Sequence, residues 1–172
     1  MRLTQRTDFA LRVLMYCAAS QERAQPVTIS EIADSHGISR SHLTKIVQEL
    51  GARGWLETTR GRGGGMRLLK PAREICLGDV VRATETDFAM VECFDPTLNR
   101  CRLSTHCRLK GVLQQATQSY LAVLDGITLA DLVDKNPSNP FAPPTPTTQY
   151  VQLVPGLPHS SNQQIRRCQS DE

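Results

Sequence analysis

Apolar residues return every three or four positions through the first fifty residues, and the pattern breaks into three helices. The first runs from about Thr4 to Ser20, with Phe9, Val13, Tyr16 and Cys17 on its buried stripe and Asp8 off it. The second opens on Thr28-Ile29-Ser30-Glu31, a capping box in which the hydroxyl takes a free backbone N–H and the carboxylate reaches back. It stops before His36-Gly37, where the glycine permits a tight turn, and Ser39 caps a third helix reaching about Leu50. On that third helix Leu43, Ile46, Val47 and Leu50 make one apolar face. Ser41, Thr44, Lys45 and Gln48 lie opposite, with Arg40 and His42 on the flanks near its start. The period then changes. Trp55–Thr59 and Met66–Leu69 read as two strands joined by Arg60-Gly61-Arg62-Gly63-Gly64-Gly65. Beyond them, Cys76 opens a helical segment through Thr86. A long helix from about Leu109 to Leu124 carries Leu109, Val112, Leu113, Ala116, Tyr120, Val123 and Leu124 as an apolar stripe. Residues 126–133 add a short helix with Thr128 and Asp131 as its cap pair.

A short helix, a tight turn, a longer helix with a polar outer face and a hairpin make a winged helix-turn-helix. The expected fold class is therefore mainly α with a small β wing. Residues 1–75 form the DNA-binding region. Residues 76–136 form a cysteine loop and dimerisation helices within the same compact domain. A long apolar stripe on so small a domain suits core or a dimer face, and a dimer suits a DNA reader whose two helices enter successive major grooves.

Charge supports this division. Residues 1–75 hold 12 Lys and Arg against 7 Asp and Glu, whereas residues 76–172 hold 8 against 10. Between 53 and 73 there are six bases (Arg53, Arg60, Arg62, Arg67, Lys70 and Arg73) and one acid, Glu57. Such a patch suits a phosphate backbone, although a solvated charged face has the same composition. Arg60 and Arg62 on a glycine-rich tip are placed to reach a minor groove or phosphates. A nucleotide-phosphate loop fits less well, because the glycines join two strands and follow neither nucleotide-binding pattern. After Asn136 the composition breaks: residues 137–172 contain 7 of the 10 prolines and are expected to form a disordered tail, with Cys168 an unligated thiol. The longest apolar run is seven residues, Val13 to Ala19, too short to span a bilayer. No secretory leader is evident, and six cysteines in 172 residues are too few for a disulfide scaffold, so a cytoplasmic location is expected.

Three of those cysteines are gathered. Cys93, Cys101 and Cys107 are separated by seven and five residues, with Pro96 and Asn99 implying a loop. Thiolates are soft ligands favoured by iron–sulfur clusters and by zinc, so the spacing points to a metal site, with three ordinary thiols or a redox pair as the other readings. Arg100, Arg102 and Arg108 are placed to neutralise an anionic centre or to sit in solvent. His106 is the neighbour from which a fourth ligand could come, although its adjacency to Cys107 points the two side chains apart, and the nearby carboxylates Asp95 and Glu92 suit the surface. Cys17 and Cys76 read as structural.

Four segments occur in order: Met1-Arg2-Leu3-Thr4-Gln5-Arg6-Thr7-Asp8-Phe9-Ala10-Leu11-Arg12, the wing Gly61-Arg62-Gly63-Gly64-Gly65-Met66-Arg67-Leu68, the three-cysteine loop, and Thr128-Leu129-Ala130-Asp131-Leu132-Val133. Together they resemble the iron–sulfur winged-helix transcription regulators, and within them the nitric-oxide-sensing repressors, over roughly residues 1–135. The resemblance implies a non-enzymatic, DNA-binding homodimeric repressor on a double-stranded operator, with nitric oxide as signal. It implies an iron–sulfur cluster, 2Fe–2S or 4Fe–4S, held by Cys93, Cys101 and Cys107. Asp8 of the partner subunit would be the fourth ligand, since it occupies the family's Thr-Asp-aromatic position. A cluster-assembly branch of the family uses a His three residues after the third Cys; Lys110 stands there in this chain. An iron- or cluster-status regulator of the same architecture is the neighbouring alternative, and a zinc-stapled protein-interaction module is the alternative of another class.

Overall fold

The structure is a computed structural model, and it describes residues 2–103 and 106–133. The expected tail from residue 137, with Cys168, lies outside the described residues. Three helices lead the chain: α1 (Gln5–Ala19), α2 (Ile29–His36) and α3 (Arg40–Ala52). The wing follows as β1 (Leu56–Thr59) and β2 (Gly65–Leu68). A 3₁₀ turn at Ala72–Glu74 leads to α4 (Leu77–Thr84), a second turn at Glu92–Phe94 lies in the cysteine loop, and α5 (Arg108–Asp125) and α6 (Leu129–Val133) complete the fold.

The caps are where the sequence places them. The Thr4 hydroxyl accepts from Thr7 N–H at the start of α1, and Ser39 accepts from His42 N–H at the start of α3. The capping box of α2 is complete in both directions, with Thr28 N–H donating to Glu31 at 2.7 Å. Gly37 closes α2 at φ 65°, a left-handed conformation that costs a residue with a Cβ about 1–2 kcal/mol. Thr128 and Asp131 cap α6 reciprocally.

The wing is antiparallel, pairing Leu56 with Leu68 and Thr59 with Gly65. Val27 extends it by exchanging both backbone hydrogen bonds with Met66, whose side chain is buried. Gly64 sits so tightly against the end of β1 that a Cβ there would run into the carbonyl oxygen of Thr59. Residues 75–77 lie against 127–129, with Leu77 N–H donating to Ile127 and Leu129 N–H to Ile75, which ties the start of α4 to that of α6.

One core joins α1, α2, α3, the wing, α4 and α6. Its deepest side chains include Leu14, Ile32, Leu43, Leu50, Met66, Ile75 and Leu129. The stripe of α1 differs from the expected one. Val13 and Cys17 are buried, but Ala10, Leu14 and Ala18 share the inner face, while Phe9 and Tyr16 are only partly buried at its margins. The cause is the number of neighbours: α1 touches α3, α4, α6 and β2. Small and aliphatic side chains fit that junction, and the rings lie over its edges, Phe9 beside His42 and Tyr16 edge-on to His36. Burial pushes the Cys17 thiol up to about 12, which leaves it an apolar, protonated core residue.

One boundary shifts, and one of two readings left open for α5 is not observed. The segment after Cys76 leaves the helix at Thr84, two residues early, because Glu85 turns extended and accepts from Thr4 at 2.8 Å. The stripe of α5 does not enter the core. Thr117 is its only buried residue, while Leu109, Val112 and Val123 are 61%, 61% and 63% exposed. This helix is held at its C-terminal end, where Arg82 forks onto Asp125 with two bonds of 2.6 Å and the Cys76 thiol lies against the carbonyl oxygens of Leu124 and Asp125. No described helix is long and apolar enough to cross a membrane.

Candidate nucleic-acid interface and metal centre

The 3.6-residue period of α3 divides its residues cleanly. Leu43, Ile46, Val47 and Leu50 are buried, and Arg40, Ser41, His42, Thr44, Lys45 and Gln48 are all exposed. Four of the outer side chains are locally engaged: the Thr44 hydroxyl donates to the Arg40 carbonyl at 2.8 Å, Ser41 lies 3.3 Å from the Ser39 hydroxyl, Arg40 lies 3.9 Å from Asp34, and His42 lies beside the ring of Phe9. Lys45 and Gln48 are exposed beside them. Beside this face a groove runs to the wing, lined by Thr44, Gln48, Thr58, Thr59, Arg60 and Gly64. The exposed face of α3 and the wing thus border one groove.

The basic run is divided between structure and surface. Arg67 donates to the carbonyl oxygens of Arg23 and Ala24 and braces the loop between α1 and α2. Arg53 is paired with Glu49 at 3.1 Å. Arg60 and Arg62 at the wing tip are exposed and join no ion pair among the described residues. Arg40, the third arginine among the candidate DNA residues, lies 3.9 Å from Asp34.

The cysteine loop is organised by its own polar side chains. The Asp95 carboxylate accepts from the Thr97 N–H at 2.7 Å and from the Thr97 hydroxyl, which holds its carboxyl below the usual carboxylate range. Asn99 N–H returns to the Asp95 carbonyl, and the Asn99 side chain accepts from Cys101 N–H at 3.0 Å. Glu92 accepts from the N–H of Arg100. That bond closes the segment between Cys93 and Cys101, because each cysteine directly follows one of the bonded residues. Glu92 and Asp95 are thus loop-shaping residues. Cys107 starts α5 as its N-cap with no side-chain cap bond, so the unpaired N–H groups of an 18-residue helix lie beside it. No acid occupies the first turn, and such a helix end favours negative charge.

Cys101 is exposed, and Cys93 and Cys107 are half-buried. Among the described residues, no three His, Cys, Asp or Glu side chains are gathered closely enough to hold a metal. The donor set nevertheless fits an iron–sulfur group: three unpaired soft thiols lie on one short loop, with arginines around them. Asp8 lies elsewhere, on the first turn of α1, where Arg12 holds it through bonds of 3.0 and 2.9 Å.

One junction was not visible in the sequence. Arg6 of α1 forks onto Glu49 of α3, its Nε donating at 2.7 Å and its Nη2 to the other carboxylate oxygen, and Arg53 donates to the same carboxylate. The Arg6 guanidinium, and then Arg53, hold the Glu49 carboxyl below its ordinary range. The pair Glu49 and Arg53 has a readable spacing of four. Arg6 and Glu49 are 43 residues apart, and no local signal joins them.

Comparison with known proteins identifies the family and the fold. The transcriptional regulator NsrR of Bacillus subtilis is 50% identical over 133 residues, 77% of this chain and 90% of that protein. Among solved structures, CymR of B. subtilis superposes with a TM-score of 0.63 at 22% identity, covering 77% of this chain and 96% of its own. IscR of T. potens superposes with a TM-score of 0.61 at 25% identity, covering 77% and 86%. The Rrf2 profile, described as an iron-dependent transcriptional regulator, matches residues 3–135. The chain belongs to the Rrf2 family of transcriptional regulators.

Proposed function

We propose that this regulator is a homodimeric repressor whose grip on a double-stranded operator depends on an iron–sulfur cluster and is released by nitric oxide. The observation that carries the reading is the place of α1: it bears Asp8 and is bonded directly to the helix whose outer face would read DNA. Cys93, Cys101 and Cys107, with Asp8 of the partner subunit, would hold the cluster. When bound, the cluster supplies iron that reacts with nitric oxide. A carboxylate is a hard donor and holds iron less firmly than a thiolate does. Once free of iron, Asp8 has a partner waiting in Arg12 on the next turn of its own helix.

On the operator, Arg40, Lys45, Arg60 and Arg62 would take phosphates and the minor groove, and Ser41, His42, Thr44 and Gln48 would meet base edges. The exposed apolar residues of α5 support a dimer, which would set two α3 helices about 34 Å apart. A change in α1 that spoils this spacing costs affinity; couplings of about 1–3 kcal/mol correspond to roughly 5- to 150-fold.

The test is anaerobic loading followed by nitric oxide titration during operator binding. Affinity should fall as the visible spectrum of the cluster is lost. Unchanged affinity while the spectrum disappears rejects the switch. Asp8→Ala should alter both the spectrum and the response, and identity in both removes Asp8 from the ligand set. Iron or cluster status as the signal is favoured by the family's iron-dependent description. It predicts release on iron withdrawal and indifference to nitric oxide. Colourless protein that holds zinc would favour the staple.

A further inference from the structure

The contact between α1 and α3 has two levels. At the start of α3, the ring of Phe9 lies 6.5 Å from that of His42, tilted by 34°. Near its end, Arg6 forks onto Glu49. His42 and Glu49 are seven residues apart, so the two contacts are separated by about 10 Å along the helix. Two contacts at that separation set an angle as well as a distance. Alongside them the packing is apolar: Ala10 and Val13 on α1, and Leu43, Ile46 and Leu50 on α3, belong to the one core. Apolar burial is non-directional and tolerates sliding. A guanidinium fork on a carboxylate does not, because two parallel bonds require one register.

We infer that Glu49 is a positioning residue that carries the placement of α1 to the recognition helix, held from α1 by Arg6 and from the end of α3 by Arg53. Its carboxylate is the single point where the three side chains meet. The Glu49 side chain is only 22% exposed, so the junction is partly screened from water, whereas Arg6 is 47% exposed. Asp8 lies between Arg6 and Phe9 in the chain, and any shift of the first turn of α1 that follows the hold on Asp8 therefore moves both contacts with α3. Gln48 and Lys45, on the exposed face, turn with the same helix. This inference rests on the proposal that α1 responds to the cluster, and names the link by which α3 would respond in turn.

The experiment measures operator affinity by fluorescence anisotropy for cluster-loaded and cluster-free protein, in wild type, Arg6→Gln, Glu49→Gln and the double variant. The readout is the ratio of loaded to free affinity. Each single variant should keep the cluster's visible spectrum and an unfolding midpoint close to wild type, while the ratio falls about 2- to 5-fold, the scale of a partly exposed charged pair. The double variant should be no worse than either single, because both remove one link. Arg6→Lys keeps the charge without the fork and should fall between, which also guards against a single variant that folds poorly. Wild-type ratios in both single variants, or losses that add in the double, overturn the inference. A wild-type ratio of one sinks the sensor reading and the transmission together, whereas a ratio above one that survives both substitutions sinks only the role of Glu49.

Discussion

Replacing Val112 by Glu puts a carboxylate in the middle of the exposed stripe of α5. Val112 is 61% exposed in the single chain, so a dimer formed through this face would take about three-fifths of its surface out of water. Full burial of a valine side chain contributes at least about 1.5 kcal/mol, which scales to about 0.9 kcal/mol for Val112. Two-fold symmetry counts it twice, so the loss is about 1.8 kcal/mol, or roughly 20-fold in the dimer dissociation constant. Two carboxylates brought together without partners add a desolvation penalty to that figure, so about 20-fold is the minimum. The monomer should be unaffected, because α5 contributes little to the core. Sedimentation across a concentration series measures the constant, and the unfolding midpoint checks the fold. A Val112→Glu protein that dimerises as tightly as wild type would refute the assignment of this face. So would one that falls apart as a monomer, since that would mean α5 stabilises the subunit itself.

Three further outcomes are expected. Arg60→Ala and Arg62→Ala should each weaken operator binding nearly uniformly across sequences and lower the salt slope by about 1, because each removes one phosphate-range cation; unaltered slopes would take the wing off the DNA. Thr28→Ala removes the α2 cap and should cost about 1 kcal/mol, read as a lowered unfolding midpoint. The capping partner Glu31 is held below the usual carboxylate range by Arg23 and then by the Thr28 N–H. Its contribution is therefore present above the unfolded value, about 4.3, and lost as pH falls through the depressed one. Glu31→Gln should flatten the acid limb of the stability profile, and an unchanged limb would show the pair to be inert.

The helices and the wing were legible because their signals are local. A capping box spans four residues, the apolar face of α3 spans eight, and the glycine-rich tip has no other ready use. Six of the eight candidate DNA residues are exposed for the same reason, because a helix with one apolar face must turn the other outward, and Arg60 and Arg62 are exposed because they stand on the tip of a hairpin. The cysteine loop was legible as three thiols in a short stretch. Its closure was not, because Glu92 reaching the Arg100 N–H is a matter of loop conformation.

Spacing along the chain determines what each segment becomes on its own, since helix period, cap and turn chemistry act over fewer than about ten residues. What each segment meets is decided by packing. Ala10 and Leu14 displaced the aromatic residues from the inner face of α1 because four elements converge there and the available space is small. Arg6 found Glu49, Thr4 found Glu85 and Arg82 found Asp125 across gaps of 43, 81 and 43 residues, and Arg67 was withdrawn from the basic patch to brace a loop. Long-range pairs of this kind leave no periodic trace, because their partners are neighbours only after the core has closed.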